Sequence, residues 1–269
     1  MPAAYAHHRF GETCLEAMDP KLKEVCMKYR ELYDIGVHGP DILFYYHPLS
    51  SNKVNSHGKD LHNWTGEQFF QLCKFGYQEA EEGRKAMLAY LLGFLAHFTL
   101  DSGCHDFIEE EAEESDLSHN RIESQYEVYL MELDGRDPMQ VDRSLPLKPT
   151  FRNAEIIARF FPFEAEEIQK SLKGQKTVLH LFYSPAEKKK AVVRKLIRAL
   201  KVKGDFGDLF LDREVPEECV MMNEIILTRQ KAAAKLYPKL ARNLVRFLYD
   251  KAELDQYFKY DFKGVLQES

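Results

Sequence analysis

Three side chains that are able to bind a metal ion recur at four-residue intervals within one apolar segment. His97, Asp101 and His105 lie in the stretch GFLAHFTLDSGCHDF. On an α-helix, side chains four residues apart project from nearly the same side, so all three would face one space. Imidazole and carboxylate groups are ligands that zinc accepts, and a carboxylate can bridge two ions. The spacing indicates a metal site, although each residue taken alone could equally be a hydrogen-bonded part of an apolar core.

A second pair of ligand types follows after one short acidic loop. His119 and Glu123 lie four residues apart in LSHNRIESQYE, which again places them on one side of a helix. Taken alone, such a pair is typical of a solvated helix surface. Two antiparallel helices would, however, present the pair and the triplet to the same space, as in helix bundles that hold metal centres. The two motifs together predict one shared centre with five ligands.

Helical periodicity dominates the chain and supplies the elements that would position these side chains. Thr65 and Ser118 are predicted to cap helices at their N-termini. Pro20 is predicted to break the first helical segment, Gly36 to end it, and Gly103 to end the most apolar helix. Because alternating strand patterns are nearly absent, the predicted fold is all-α.

A proline-containing stretch, DGRDPMQVDRSLPLKPT, divides the chain. We predict a zinc-binding helical core over residues 1–135, a Pro-rich connection over 136–150, and a C-terminal helical extension over 151–269 that packs on the core. Nine of the ten histidines precede the connection, which locates the chemistry in the first part. Within the extension, residues 187–204 form a basic amphipathic pattern, either an ordinary solvated helix or one that contacts an anionic lipid surface.

Composition excludes several classes of protein. The net charge of −6 over 269 residues argues against a protein that binds duplex nucleic acid, since that task needs a basic surface. The longest apolar run, Met87 to Leu100, is shorter than the about 20 residues that cross a membrane, so a core helix is predicted. The sequence MPAAYAHHRFGE has no secretory-signal pattern, and a cytoplasmic location is predicted. Five cysteines without a CxxC pair indicate neither a disulfide scaffold nor a zinc ribbon.

The quoted motifs resemble those of a known family. AYLLGFLAHFTLDSGCHDFI followed by SHNRIESQYEVYL is similar to the signature of the zinc-dependent phospholipase C family, as are YAHHRFGE and GPDILFYYHP. The resemblance spans roughly the first 135 residues. It implies a multi-helix bundle with three zinc ions in a cleft, here with additional C-terminal helices. It also implies a zinc-dependent hydrolase of phosphoric esters.

The resemblance carries ligand roles over to individual positions. It implies that Asp101 is shared between two zinc ions, and that Asp41 binds one of these ions and is the candidate general base. It also implies that His105, His119 and Glu123 hold a separate ion. The implied zinc ligands are His7, Asp41, His62, His97, Asp101, His105, His119 and Glu123.

Three of these assignments have alternatives. His57 is the alternative to His62, and His8 is the alternative to His7. The amine of Pro2, exposed if Met1 is removed, is a further candidate ligand of the third ion. The aromatic run Phe44, Tyr45 and Tyr46 is expected to be core, or else to line the mouth of the cleft, where a choline head group would favour aromatic faces.

The mechanism that we expect is attack on phosphorus by a hydroxide that bridges two zinc ions, because zinc lowers the pKa of bound water to about 7. The expected substrate is a phospholipid or a soluble phosphodiester, with transient membrane contact in the first case. One alternative is an HD-type phosphohydrolase built on the adjacent His105 and Asp106. Another is a non-catalytic, zinc-stabilised helical binding protein.

Overall fold

Helices form nearly all of the regular structure in the computed structural model, which describes residues 3–183, 189, 191–193, 195 and 210–267. The described α-helices are α1 (Ala4–Ala17), α2 (Pro20–Lys28), α3 (Arg30–Gly36), α4 (Lys53–Leu61), α5 (Gly66–Glu79), α6 (Arg84–Glu114), α7 (His119–Leu133), α8 (Phe151–Ala158), α9 (Ala165–Phe182) and α10 (Val220–Leu248). A 3₁₀-helix covers Gly39–Tyr45 and another covers Gln256–Lys259. Among these residues no strand forms, and the all-α prediction is confirmed. The basic stretch 187–204 lies almost wholly outside the described residues.

The predicted caps explain where two of the helices begin. The Thr65 hydroxyl accepts a hydrogen bond from the Gln68 backbone N–H, and the Gln68 side chain accepts one from the Thr65 N–H. The Ser118 hydroxyl accepts from the Arg121 N–H at the start of α7. Each cap satisfies an N–H group that the helix itself leaves without a partner. Pro20 occupies the first turn of α2, where its missing N–H costs nothing.

The expected end of the most apolar helix at Gly103 is wrong, because α6 continues to Glu114. Glycine inside a helix costs about 1 kcal/mol relative to alanine, which packing can offset. Gly103 lies against α10, where an added Cβ would be 3.5 Å from the Ala233 Cβ. The uninterrupted helix keeps His105 in register with Asp101.

Helix α6 is the central element of the core. By length and composition it could cross a membrane, but 94% of its most apolar window is buried inside the fold, as in the core helix of a soluble protein. Its backbone touches α3 closely, since an added Cβ at Gly93 would lie 2.3 Å from the Tyr33 carbonyl oxygen. On another side, the Tyr237 hydroxyl of α10 donates to the Leu92 carbonyl at 2.9 Å. Helices from both ends of the chain therefore fix α6.

One cluster of buried apolar side chains runs from Ala3 to Phe262. It includes Met139 and Leu147 of the Pro-rich connection, so this segment contributes to the same core as the helices on either side. The division into a core, a connection and an extension stays a prediction.

A buried ion pair ties the connection to α7. Arg143 contacts the carboxylate of Glu127, whose side chain is fully buried, and Glu127 also accepts a hydrogen bond from the Tyr5 backbone N–H at the start of α1. Burial raises the pKa of Glu127, and Arg143 opposes that rise. This carboxylate joins three segments that are far apart in sequence.

We expect Glu127→Gln to destabilise the protein by about 3 kcal/mol, because breaking a buried ion pair by removing one partner is strongly destabilising. Urea unfolding followed by circular dichroism measures the loss. Glu113→Gln, at an exposed position, is the matched control and should change stability by less than about 0.5 kcal/mol. Equal stability of the two variants would contradict the assigned role of the pair.

Candidate metal centre

The histidine and aspartate stripe on α6 is buried and faces inward. His97 is fully buried, and Asp101 and His105 are nearly so. The three lie on successive turns of one helix, as their spacing predicted. Burying a carboxylate away from water raises its free energy, so this placement requires partners that stabilise the charge.

Asp101 is surrounded by three imidazoles. Its Oδ2 lies 2.9 Å from the His97 Nε2, and its Oδ1 lies 3.3 Å from the His7 Nε2 and 3.5 Å from the His105 Nε2. His7 comes from α1, whose first turn covers this part of α6. The carboxylate therefore lies where it could serve more than one ion.

Helix α7 brings a second carboxylate to His105. The Glu123 Oε1 lies 3.4 Å from the Nε2 of His105 and 3.4 Å from the Nε2 of His119. Glu123 is buried, whereas the His119 side chain is 27% exposed. The five side chains of the two sequence motifs thus meet in one space, and its outer edge at His119 is open to solvent.

Asp41 and His62 form a third group beside His97. Asp41 is buried on the 3₁₀-helix Gly39–Tyr45, and its Oδ1 lies 3.1 Å from the His62 Nε2. The His62 Nδ1 lies 2.7 Å from the Gly58 carbonyl oxygen, to which it donates in the tautomer that leaves Nε2 free to bind a metal. His57, the sequence alternative, instead packs edge-on against Trp64 and Phe163.

The side chains form three sets whose ligand atoms lie within 4.8 Å of one another. The sets are His7, His97 and Asp101; Asp41, His62 and His97; and His105, His119 and Glu123. Zinc bonds of about 2.0–2.1 Å in a tetrahedron separate neighbouring ligand atoms by roughly 3.3 Å. The contacts of 2.9 to 3.5 Å described above match that separation.

Buried polar atoms without partners provide an independent test of the fit. Within the described residues, the His97 Nε2 and the Asp101 Oδ2 are buried, lie 2.9 Å apart and have no other hydrogen-bond partner, and the Nδ1 atoms of His7 and His97 are buried without one. Such atoms are rare in folded proteins and call for an unseen partner. A cavity of about 20 Å³ lies among His7, Asp101, His105 and Glu123, enough for one water-sized species. The residues fit a zinc centre.

Burial and the neighbouring charges shift the pKa values of the cluster in different directions. Burial alone would raise the pKa of Asp101, but His105, His97 and His7 hold it well below its usual range. Although burial opposes it, the carboxylates of Asp101 and Glu123 raise the pKa of His105 to about 9. Burial and the neighbouring His97 lower the pKa of His7 to about 3. Asp101 is therefore ionised and His7 neutral at neutral pH, the forms in which these side chains bind a metal ion.

The last residues of the chain contribute a partner that sequence reasoning missed. The His105 Nδ1 lies 3.1 Å from the Phe262 carbonyl oxygen, and this contact directs Nε2 toward the two carboxylates. The Phe262 ring also packs 5.8 Å from the His62 ring and 6.1 Å from the His97 ring. A backbone carbonyl carries no sequence signal, so only the fold reveals this contact. Partners of this kind fix the orientation of a metal-binding histidine.

Gly39 makes room for His97 and sets the direction of the turn that carries Asp41. Its φ is +49°, and an added Cβ would lie 2.2 Å from the His97 Cδ2. Only glycine adopts this backbone conformation without strain. The glycine in GPDILFYY is therefore required by both conformation and contact.

We expect Gly39→Ala to cost more stability than Gly135→Ala and to lower the zinc content. Gly135 also has a positive φ, +66°, but nothing lies within 4 Å of an added Cβ, so this control variant carries only the backbone cost of roughly 1–3 kcal/mol. Thermal unfolding and elemental analysis measure the two effects. Equal losses of stability with unchanged zinc would contradict the role of Gly39 in placing His97.

The predicted aromatic residues separate in space. Phe44 lines an open cavity over the centre, and its ring lies 5.3 Å from the His62 ring. Tyr45 is buried at the crossing with α9, next to Gly174. Tyr46 packs edge-on against His47.

The remaining candidates lie apart from the three sets. His8 forms a separate group with Glu12 and Asp34, and the Arg30 guanidinium pairs with both of those carboxylates. The negative charges of Glu12 and Asp34 are therefore already paired with a cation. Asp106 pairs with Arg229 on α10 at 2.8 Å and does not share the site of His105. Pro2 lies outside the described residues.

Comparison with known proteins identifies a family that the chain matches. A family model described as zinc dependent phospholipase C matches residues 6–174. The match runs past the motifs into α9, and it ends before the segment that carries Phe262. No curated protein and no solved structure matches the chain.

Proposed function

This chain belongs to the zinc-dependent phospholipase C family, and on that premise we propose that it hydrolyses phosphodiesters with the help of two or three zinc ions. Membership of the family supports a hydrolase, zinc as its metal and a phosphate ester as its substrate. The observation that carries the proposal is the buried Asp101 carboxylate with three imidazoles within 3.5 Å. A structural zinc site is normally closed and rich in cysteine, whereas the three ligand sets contain no cysteine.

We assign each set of ligands to one ion. Asp41, His62 and His97 would hold the first ion, and His105, His119 and Glu123 would hold the second. His7 would hold the third, and Asp101 would serve both the first and the third. Zinc bound there would lower the pKa of a coordinated water to about 7 and neutralise charge on the phosphoryl oxygens. This is the chemistry behind the hydroxide attack that we propose.

Asp41 is the residue that we propose for handling the attacking water. Although burial opposes it, neighbouring charges, those of His62 and His97 among them, hold the pKa of Asp41 below its usual range. Asp41 therefore remains a carboxylate at neutral pH and accepts a hydrogen bond from the water, which orients it toward phosphorus. Positioning of this kind supplies a large part of the rate enhancement of many enzymes.

The open cavity over the centre limits the size of the substrate. It has a volume of about 290 Å³ and is bordered by His62, His105 and His119. This volume is at the lower end for small-molecule sites and admits a phosphodiester with small substituents. Acyl chains would have to remain outside. A soluble phosphodiester fits, and so does the head group of a phospholipid during transient contact with a membrane.

The experiment that tests the function compares the zinc-loaded protein with Asp41→Asn on bis(p-nitrophenyl) phosphate. We expect kcat to fall by at least a hundredfold in the variant, because asparagine binds zinc and orients water poorly. Asp60→Asn, an exposed position on the neighbouring helix α4, is the control and should retain full activity. Hydrolysis by the wild type no faster than by free zinc would refute the proposal.

A further inference from the structure

Two lysines line the cavity over the metal centre, and neither belongs to the ligand sets. Lys59 lies in the last turn of α4, and Lys263 follows Phe262 near the C-terminus. The lining residues are Phe44, Lys59, His62, Asn63, His105, Glu109, His119 and Lys263. The wall of the cavity thus combines three histidines of the proposed ligand sets with two cationic side chains.

The two ammonium groups are available to a ligand. Neither lysine forms an ion pair with a carboxylate of the described residues, and both side chains are exposed. Other lysines do form such pairs, as Lys74 does with Asp250 and Lys239 with Asp255. A cation that lines a cavity without a carboxylate partner favours an anionic ligand there.

The acidic side chain of this lining, Glu109, contacts another lining residue and not the two lysines. Glu109 Oε1 lies 3.2 Å from the His119 Nδ1, so its charge is directed at a histidine of the centre. Phe44 is the only aromatic residue other than histidine in this lining. A cage for a quaternary ammonium group needs several aromatic faces and suffers from nearby cations. The composition of the wall disfavours a choline-type head group.

We propose that Lys59 and Lys263 form an anion subsite beside the metal centre, so that the preferred substrates are phosphoric esters carrying a second phosphate group. The inference rests on the proposed function, since it places the scissile phosphate at the histidine wall. A lysine ammonium binds phosphate as a compact point charge. Two ammonium groups at this subsite favour substrates with a second phosphate and disfavour substrates with a cationic group at the same position.

The test uses three p-nitrophenyl phosphodiesters that differ only at the end of a two-carbon second ester group, which carries a phosphate, a hydroxyl or a trimethylammonium. We expect the wild type to show the highest kcat/KM with the phosphate compound and the lowest with the trimethylammonium compound. In the double variant Lys59→Glu/Lys263→Glu, the advantage of the phosphate compound over the hydroxyl compound should fall at least tenfold. The double variant Lys231→Glu/Lys235→Glu, at exposed positions on α10, makes the same charge change and should leave the preference intact.

A binding measurement separates failure of the subsite from failure of the proposed function. Calorimetry compares the binding of propane-1,3-diyl bisphosphate and of propyl phosphate to the zinc-loaded protein. We expect the bisphosphate to bind at least tenfold more tightly than propyl phosphate to the wild type, but not to Lys59→Glu/Lys263→Glu. If no diester is hydrolysed but this difference is found, the proposed function fails and the subsite stands. An unchanged preference in Lys59→Glu/Lys263→Glu, or a preference for trimethylammonium in the wild type, would overturn the subsite.

A further arm identifies the source of the second phosphate. The same head group is presented on a monomeric short-chain phospholipid and in phosphatidylcholine vesicles that contain its long-chain form. Hydrolysis in both forms would point to a membrane lipid, and hydrolysis of the monomeric form alone would point to a soluble ester. Either result supports the subsite if it depends on Lys59 and Lys263, and independence from both lysines counts against it.

Discussion

Asp101→Asn is expected to lower kcat for phosphodiester hydrolysis by about a thousandfold. The Asp101 carboxylate contacts the imidazoles of His7, His97 and His105, and in our proposal it belongs to two ions. Asparagine keeps the size of the side chain but removes the charge that balances those ions. Metal ions supply several kcal/mol of transition-state stabilisation, and a loss of about 4 kcal/mol corresponds to a factor of about a thousand. Steady-state kinetics with added zinc and elemental analysis of the same samples measure the effect.

Asp106→Asn is the matched control for this variant. It makes the same substitution little more than one turn further along α6, where the side chain pairs with Arg229 rather than with the histidines. We expect its activity and zinc content to stay within twofold of the wild type. An Asp101→Asn protein that folds, keeps all its zinc and retains a third of the activity would show that this carboxylate is not a ligand.

Removal of zinc is expected to lower the melting temperature by at least about 10 °C. Without metal, the buried Asp101 carboxylate keeps only imidazole contacts of 2.9 to 3.5 Å in place of metal bonds, and buried polar groups that are incompletely satisfied are costly. Each ion present at a thousand times its Kd adds about 4 kcal/mol to stability. For a chain of this size, 1 kcal/mol corresponds to roughly 2–4 °C. Differential scanning calorimetry before and after dialysis against a chelator measures the shift.

Two controls make the metal dependence specific. Adding zinc back to the dialysed protein should restore the original melting temperature, whereas magnesium, which prefers oxygen ligands in an octahedron, should not. His119→Ala, which removes a partly exposed ligand, should show a smaller drop on chelation than the wild type. A melting temperature that is indifferent to the chelator would mean that the buried cluster is held together by hydrogen bonds and ion pairs alone.

Much of the fold and of the arrangement of ligands follows from local sequence pattern. The caps at Thr65 and Ser118 are local signals that depend on a few neighbouring residues, and both predicted helix starts are confirmed. The stripe on α6 follows from helical geometry alone, since residues four apart share a side of any helix. The continuation of α6 past Gly103 was not predictable from the glycine itself, since Gly103 packs against Ala233 of α10, which is far away in the sequence.

The features that escaped sequence reasoning depend on contacts between distant segments. The carbonyl of Phe262 reaches His105 across 157 positions, and no side-chain type marks that contact. Lys263 likewise lines the cavity together with residues that are far away in the sequence, and its residue type does not mark that position. Gly39 did carry a signal, a Gly-Pro pair before an aspartate, but the pattern also fits an ordinary turn. The structure adds the reason why glycine is needed, which is the ring of His97 beside it.

The number of zinc ions per chain tests the central claim most directly. Elemental analysis of protein purified without chelator is compared between the wild type, His119→Ala and His57→Ala. His57 packs against Trp64 and Phe163 away from the three sets, so it is the matched control. We predict two to three zinc ions in the wild type and in His57→Ala, and one fewer in His119→Ala. No zinc, or a single ion that is retained in His119→Ala, would contradict a multi-zinc centre and the hydrolase built on it.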